Sequence, residues 1–206
     1  MRNIDEINNI RSEKPEQYFS VMDLTPEQLK KRLDYTKKAF PIFDLILILI
    51  LTMRDYERID VDYVKTTLIE RLTSLFIDFT TPDDYLIDYA ITTANNFVDT
   101  TIDNIDDEYY LSEDRSLFNA ENSANDVANY VEYKEAIAEG KTNKMWISKA
   151  DVKVRKTHQV VNSKKIPIDK YFEVGKAKMR FPKDYEKALA HPEETVNCRC
   201  TVKYLD

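Results

Sequence analysis

The sequence predicts an α+β protein, with a mainly α-helical N-terminal region followed by a small basic α+β module. Three observations carry this expectation. Glycine is scarce: 2 residues in 206, where average usage of about 7% would give roughly 14, and both, Gly140 and Gly175, fall late in the chain. Up to Gly140 the apolar residues recur at helical spacing between turns made of Pro, Asn, Asp and Thr. The charge then reverses: residues 1–140 hold 14 basic and 29 acidic side chains, net −15, whereas residues 141–206 hold 16 and 8, net +8, within a total of −7.

These totals exclude several classes. Without glycine at fixed offsets there is neither a P-loop nor a dinucleotide fingerprint. With 43% apolar and 33% charged residues over 206 positions, the chain can bury a core as one domain or two and is not of disordered composition. The sign change at one place implies two modules, or one with an acidic and a basic face. The basic end could meet nucleic acid or an acidic partner, or the two halves could simply attract each other.

The elements follow in order. The first forty residues read as a helical lead-in, in which Thr25, Pro26 and Gln28 form a capping box. The helix beginning Leu29-Lys30-Lys31-Arg32 runs toward Pro41, where a second segment begins that is apolar on nearly every side through Met53 and is expected to be buried in a core or between subunits. Its run Ile42–Met53 is too short for a bilayer, which needs about 20 residues. Val61, Val64, Leu68, Leu72, Leu75 and Phe79 mark the next helix. Thr81-Pro82-Asp83-Asp84 starts another, through Val98. Thr100–Glu113 is an acidic connection or frayed end. Ser112 opens a last long helix, Asp114 to about Glu139, with Gly140 at its C′ position.

Beyond Gly140 the texture changes. Lys144–Ser148 reads as a strand, and Ser148 with Asp151 as the start of a helix Lys149–Val161. Lys164–Ile168, Tyr171–Val174 and Lys178–Phe181 are short strands or extended loops, Asp184–Ala190 a short helix, and Cys198–Leu205 a last strand on which both cysteines share a side opposite Arg199. MRNIDEINNI has no signal-peptide core, and Cys198 and Cys200 are too close in sequence for an ordinary disulfide staple, so a reducing cytosol is expected.

Polar residues recur here at suggestive offsets. Asp151 and Arg155 can pair across one helical turn, and Arg155 and His158 share a face. Trp146, Asp151-x-x-x-Arg155-x-x-His158, Phe172, Pro182-x-Asp184 and Asn197-Cys198-Arg199-Cys200-Thr201, in that order, resemble the phage Mu F-like head-morphogenesis (minor head protein) family. Ala120-Glu121-Asn122 and the helix to Gly140 are similar to that domain's lead-in. The resemblance covers about residues 115–206, with 141–206 as its basic module, and leaves 1–114 as a helical region for portal or partner binding. Family members usually carry Asp-Gly after the histidine; this chain has Asn162-Ser163, and Asn tolerates the left-handed region.

The resemblance implies a non-enzymatic minor capsid protein of a tailed phage, assembled in the host cytoplasm and carried in the virion at the portal vertex. Its partners would be the portal protein, scaffold or major capsid protein, and packaged DNA, with no membrane. Lys144, Lys149, Lys153, Lys156, Lys164, Lys165, Lys176, Lys178 and Arg180 would meet phosphates or a partner. No cofactor is required, but His158, His191, Cys198 and Cys200 make a Cys2His2 set for a structural zinc; the other reading is two small buried thiols in a strand. A rival is an effector or nuclease-like enzyme in which His158 activates Cys198 or Cys200. Asp151, Arg155 and Asn197 read as an internal polar network, and Trp146 as the core anchor.

Overall fold

The computed structural model describes residues 18–20, 22–56, 58–148 and 154–206. The chain divides into two compact units. One is Asp34–Ala124; the other comprises the residues up to Leu33 together with Asn125–Asp206. This division differs from boundaries at 114/115 and 140/141, because two long helices each contribute to both units.

Helix α1 spans Pro26–Asp55, α2 Val61–Phe76, α3 Asp84–Asp103 and α4 Glu113–Ala138. The start signals act as their chemistry requires. Gln28 N–H donates to Thr25 Oγ1 at 3.2 Å while Thr25 N–H donates to Gln28 Oε1 at 3.1 Å, which closes the capping box. Asp60 and Asp83 cap α2 and α3 through Tyr63 N–H and Leu86 N–H. Pro41 does not end α1, which runs on for 30 residues. Pro41 is exposed, so water can serve the carbonyl that its missing N–H leaves free, while Ala39, Phe40 and Phe43 beside it are buried.

In the unit of residues 34–124, Phe43, Ile46, Leu47 and Ile50 supply the buried stripe of α1. All-round burial of this segment does not hold: Leu45 and Ile48 are 39% and 54% exposed. No helix among the described residues is long and apolar enough to cross a membrane. Phe43 packs edge-on against Phe97 with centroids 5.0 Å apart, and Phe76 lies 6.3 Å from Tyr89. The acidic connection is tied down rather than frayed. Residues Glu108–Leu111 form a 3-10 turn, and buried Arg115 donates to the carbonyls of Tyr110 (2.9 Å) and Phe97 (3.1 Å) and to Thr100 Oγ1 (2.8 Å) and Thr101 Oγ1.

In the other unit α4 ends as Gly140 adopts φ 74°; Gly140 N–H meets Ile137 O and Lys141 N–H meets Ala136 O, the paired bonds of a Schellman close. Strand β1 (Asn143–Ile147) lies between β2 (Lys165–Pro167) and β5 (Thr201–Leu205), both antiparallel to it. Strands β3 (Phe172–Val174) and β4 (Ala177–Met179) form a hairpin, whose two-residue loop places Gly175 at φ 59°, as a II′ turn requires.

Several expected elements come out differently. The helix expected from Lys149 is α5, Lys156–Val161; residues 149–153, with Lys149, Asp151 and Lys153, lie outside the described residues, and Ser148 N–H donates to Asn162 Oδ1 at 2.8 Å. The left-handed residue of the next turn is Ser163, φ 61°, following Asn162 at φ −57°, ψ 135°. That is a type II turn whose glycine position is filled by serine. Asp184–Ala190 is a series of turns, not a helix, since Lys183 at φ 66° turns the chain and the Asp184 carboxylate is engaged by Arg180. The last strand begins at Thr201, because Asn197 at φ 54° breaks the extended run before the cysteines.

A buried polar cluster ties the start of α1 to this unit. Arg32, fully buried, donates from Nη1 to Glu132 Oε1 at 2.5 Å, from Nε to Asn125 Oδ1 at 3.0 Å and from Nη2 to Asn129 Oδ1 at 3.1 Å. Losing one partner of a buried pair leaves an uncompensated charge, worth about 3–5 kcal/mol. Glu132→Ala should therefore lower the unfolding free energy in urea by about that amount, whereas Glu135→Ala, at an exposed pair, should change it by less than about 1 kcal/mol.

Candidate metal centre

Five residues of the sequence motif, Trp146, His158, Phe172, Cys198 and Cys200, come together within this unit. Trp146 is fully buried on β1. Its ring lies edge-on to Phe172, with centroids 5.1 Å apart, and to His158 at 5.6 Å. His158 projects from the short helix α5 and is 2% exposed. Its Nδ1 lies 3.4 Å from Cys200 Sγ and 3.5 Å from Cys198 Sγ. The three ligand atoms all fall within 4.8 Å of one another, and each cysteine is at least 96% buried.

This group can hold a metal ion. Zn–S bonds of about 2.3 Å and a Zn–N bond of about 2.0–2.1 Å at tetrahedral angles place N and S about 3.5 Å apart, which the two N···S distances match. Beside the cluster opens a cavity of about 20 Å³ lined by Val154, Arg155, Asn197 and Arg199, room for about one water molecule.

The backbone of the cysteine pair is held from α4. Asn125 Nδ2 donates to Cys198 O at 3.2 Å, and Asn129 Nδ2 donates to Cys200 O at 3.2 Å and to Pro182 O at 3.3 Å. The oxygens of the same two amides accept from Arg32. Asn197 in the left-handed region and Arg155, which donates to Val196 O, shape the turn that brings the pair inward.

His158 is oriented from its far side. Its Nε2 lies 3.1 Å from Glu194 Oε2, which also accepts from Thr157 Oγ1 at 2.8 Å. Glu194 is 6% exposed. Burial lowers the His158 pKa, but the hydrogen bond and charge of Cys198, with Glu194, leave it raised overall. Burial opposes ionisation of Cys198, yet hydrogen bonds from Cys200 and His158 bring its pKa well below the usual thiol value; the bond to Cys198 and burial together push Cys200 up. The pair thus shares one readily lost proton, and a metal ion would displace the second.

Other sequence-predicted residues separate from the cluster. His191 does not join the ligand set: it is partly exposed and lies 3.2 Å from Glu193 on the surface turn. Asp184 is fully buried and pairs with Arg180 Nε at 2.8 Å, while Arg180 Nη2 also reaches Glu186 at 2.7 Å, so Arg180 is engaged internally rather than presented to phosphate. Lys156, Lys164, Lys165, Lys176 and Lys178 are exposed. Lys144 is not: it is fully buried in β1, with Nζ 5.1 Å from the centre of the Tyr133 ring and 5.3 Å from that of Phe172, and no hydrogen-bond partner among the described residues. Alternation along a strand could have placed Lys144 beside Trp146 on the inner side.

Sequence reasoning missed Arg32, Asn125, Asn129, Thr157 and Glu194. Asn125, Asn129 and Glu132 recur at helical spacing on one face of α4, a readable signal; Glu194 in the turn AHPEE offered none. Comparison with family models, with curated proteins and with solved structures gives no match to this chain.

Burial pushes the Lys144 pKa down to about 8, against the charge of Asp184 and aided by that of Arg180. Between that value and the ordinary 10.5, the unfolded chain binds the proton more than the folded one, so this side chain's contribution to stability rises with pH. Below about pH 8 the full penalty is present. Lys144→Met should raise the unfolding free energy at pH 7 by about 1–3 kcal/mol, and its advantage over the wild type should shrink between pH 8 and 10.5 in parallel denaturation curves.

Proposed function

We propose that this chain is a non-enzymatic minor structural protein of a tailed-phage head, acting at the portal vertex, and that its C-terminal unit is built round a zinc ion held by His158, Cys198 and Cys200. The observation that carries the reading is that Trp146, His158 and the Cys198/Cys200 pair, three places in the sequence, meet in one buried cluster whose N···S spacing suits zinc. The exposed Lys156, Lys164, Lys165, Lys176 and Lys178 support contact with packaged DNA through phosphates, without regard to sequence. The acidic residues 34–124 support docking on a portal or scaffold surface.

A second reading has one observation in its favour. Cys198, His158 and Glu194 stand in the order of a thiol nucleophile, its base and an orienting carboxylate. The cavity beside Cys198, about 20 Å³, admits a water molecule rather than an acyl substrate, which favours the metal reading.

Untagged protein, purified without chelator and dialysed, should carry about one zinc per chain and lose thermal stability with EDTA; zinc near zero with an unchanged melting temperature refutes the metal assignment. Iodoacetamide separates the two readings. Slow alkylation that accelerates only after chelation supports zinc, and fast labelling of Cys198 regardless of chelator supports the nucleophile. Retention of the full-length protein on DNA should fall at least tenfold between 50 and 200 mM salt, and Lys164→Glu with Lys165→Glu should weaken it further at low salt. Equal retention at both salts would sink the phosphate contact.

A further inference from the structure

We propose that Glu194 is the positioning residue of this metal centre: it holds the Nε2–H of His158 so that Nδ1 faces the two sulfurs, and Gly175 is the notch that lets it do so. The inference deepens the zinc reading and rests on it for the identity of the ion, but not for the orientation of the ring.

An imidazole offers one nitrogen to a metal and the other to a second partner, and that partner fixes which nitrogen ligates. Here the division is complete. Nδ1 lies 3.4 and 3.5 Å from the sulfurs, while Nε2 lies 3.1 Å from the Glu194 carboxylate. With the carboxylate accepting at Nε2, the neutral ring keeps its proton there and turns the Nδ1 lone pair toward an ion held by the sulfurs; only the doubly protonated ring of the metal-free protein also donates from Nδ1 to the Cys198 thiolate. The carboxylate is itself fixed: Oε2 accepts the Thr157 hydroxyl at 2.8 Å.

Its other oxygen explains the one glycine of the module. A Cβ at Gly175 would lie 2.2 Å from Glu194 Oε1 and 3.1 Å from Thr157 Cγ2. The backbone there has φ 59°, so the β3–β4 hairpin requires glycine twice, for its turn and for the carboxylate packed against it. The hairpin, the 3-10 turn Pro192–Glu194 and α5 therefore meet around one carboxylate. Glu193, its neighbour, pairs with His191 at the surface and serves as the control.

The test uses the full chain and zinc itself. Competition with a chromophoric chelator should show zinc binding weakened about 10–100-fold by Glu194→Ala. Glu194→Gln, which keeps an acceptor, should recover most of that loss, and Glu193→Ala should leave binding unchanged. Gly175→Ala should weaken binding as Glu194→Ala does. The second readout is free of metal: in the zinc-free protein at a pH where His158 is neutral, 15N–1H spectra should place the proton on Nε2, and Glu194→Ala should populate both tautomers.

Wild-type affinity in Glu194→Ala, or a wild-type tautomer with the proton on Nδ1, overturns the proposal. A wild type that binds no zinc but shows the Nε2–H tautomer, lost in Glu194→Ala, refutes the zinc reading alone and leaves the positioning role standing.

Discussion

The geometry of the C-terminal unit depends on one buried guanidinium. Arg32 reaches Glu132, Asn125 and Asn129 on α4, and those two amides turn their other ends to the carbonyls of Cys198 and Cys200. A charge placed there must be neutralised and its donors filled, or burial would cost several kcal/mol. Replacing the cluster by apolar side chains could preserve stability, but not direction. Each hydrogen bond accepts only one placement of its partner, so the network fixes where the cysteine backbone runs relative to α4. The start of α1, up to Leu33, thereby belongs to the unit that Asn125–Asp206 builds.

On that frame the sulfurs and the imidazole meet under opposing demands. Burial disfavours every charged form, yet a metal ligand set needs two thiolates and a neutral ring. The structure lowers the difficulty stepwise: Cys200 and His158 stabilise the Cys198 thiolate, and Glu194 receives the far side of the ring. A divalent ion would replace the remaining thiol proton and balance the charge. Trp146 and Phe172 form an apolar wall beside the His158 ring.

Local chemistry made much of the helical architecture readable. Capping residues at Thr25, Asp83 and Ser112 and the glycine after α4 each have a single short-range function, and each performs it. The strand at Trp146 followed from composition; the cysteines are buried as small apolar residues, but just before the last strand rather than on it. What stayed hidden depends on long-range placement. Arg32 lies nearly a hundred residues from its partners, and an N-terminal helix gives no sign that its arginine will serve a later module. Lys144 counted as surface charge because lysine is rarely buried, although its alternation with Trp146 pointed inward. His191 entered the candidate ligand set although AHPEE reads as an exposed turn, and the fold leaves it on that turn beside Glu193.

The three side chains brought together by these contacts could hold one metal ion. X-ray absorption at the zinc edge of the purified, untagged chain tests it most directly. The expected spectrum is of one zinc with two sulfur neighbours at about 2.3 Å and a single imidazole at about 2.0 Å, the remaining position filled by a light atom. A spectrum with no sulfur neighbours, or with two imidazoles, would contradict it.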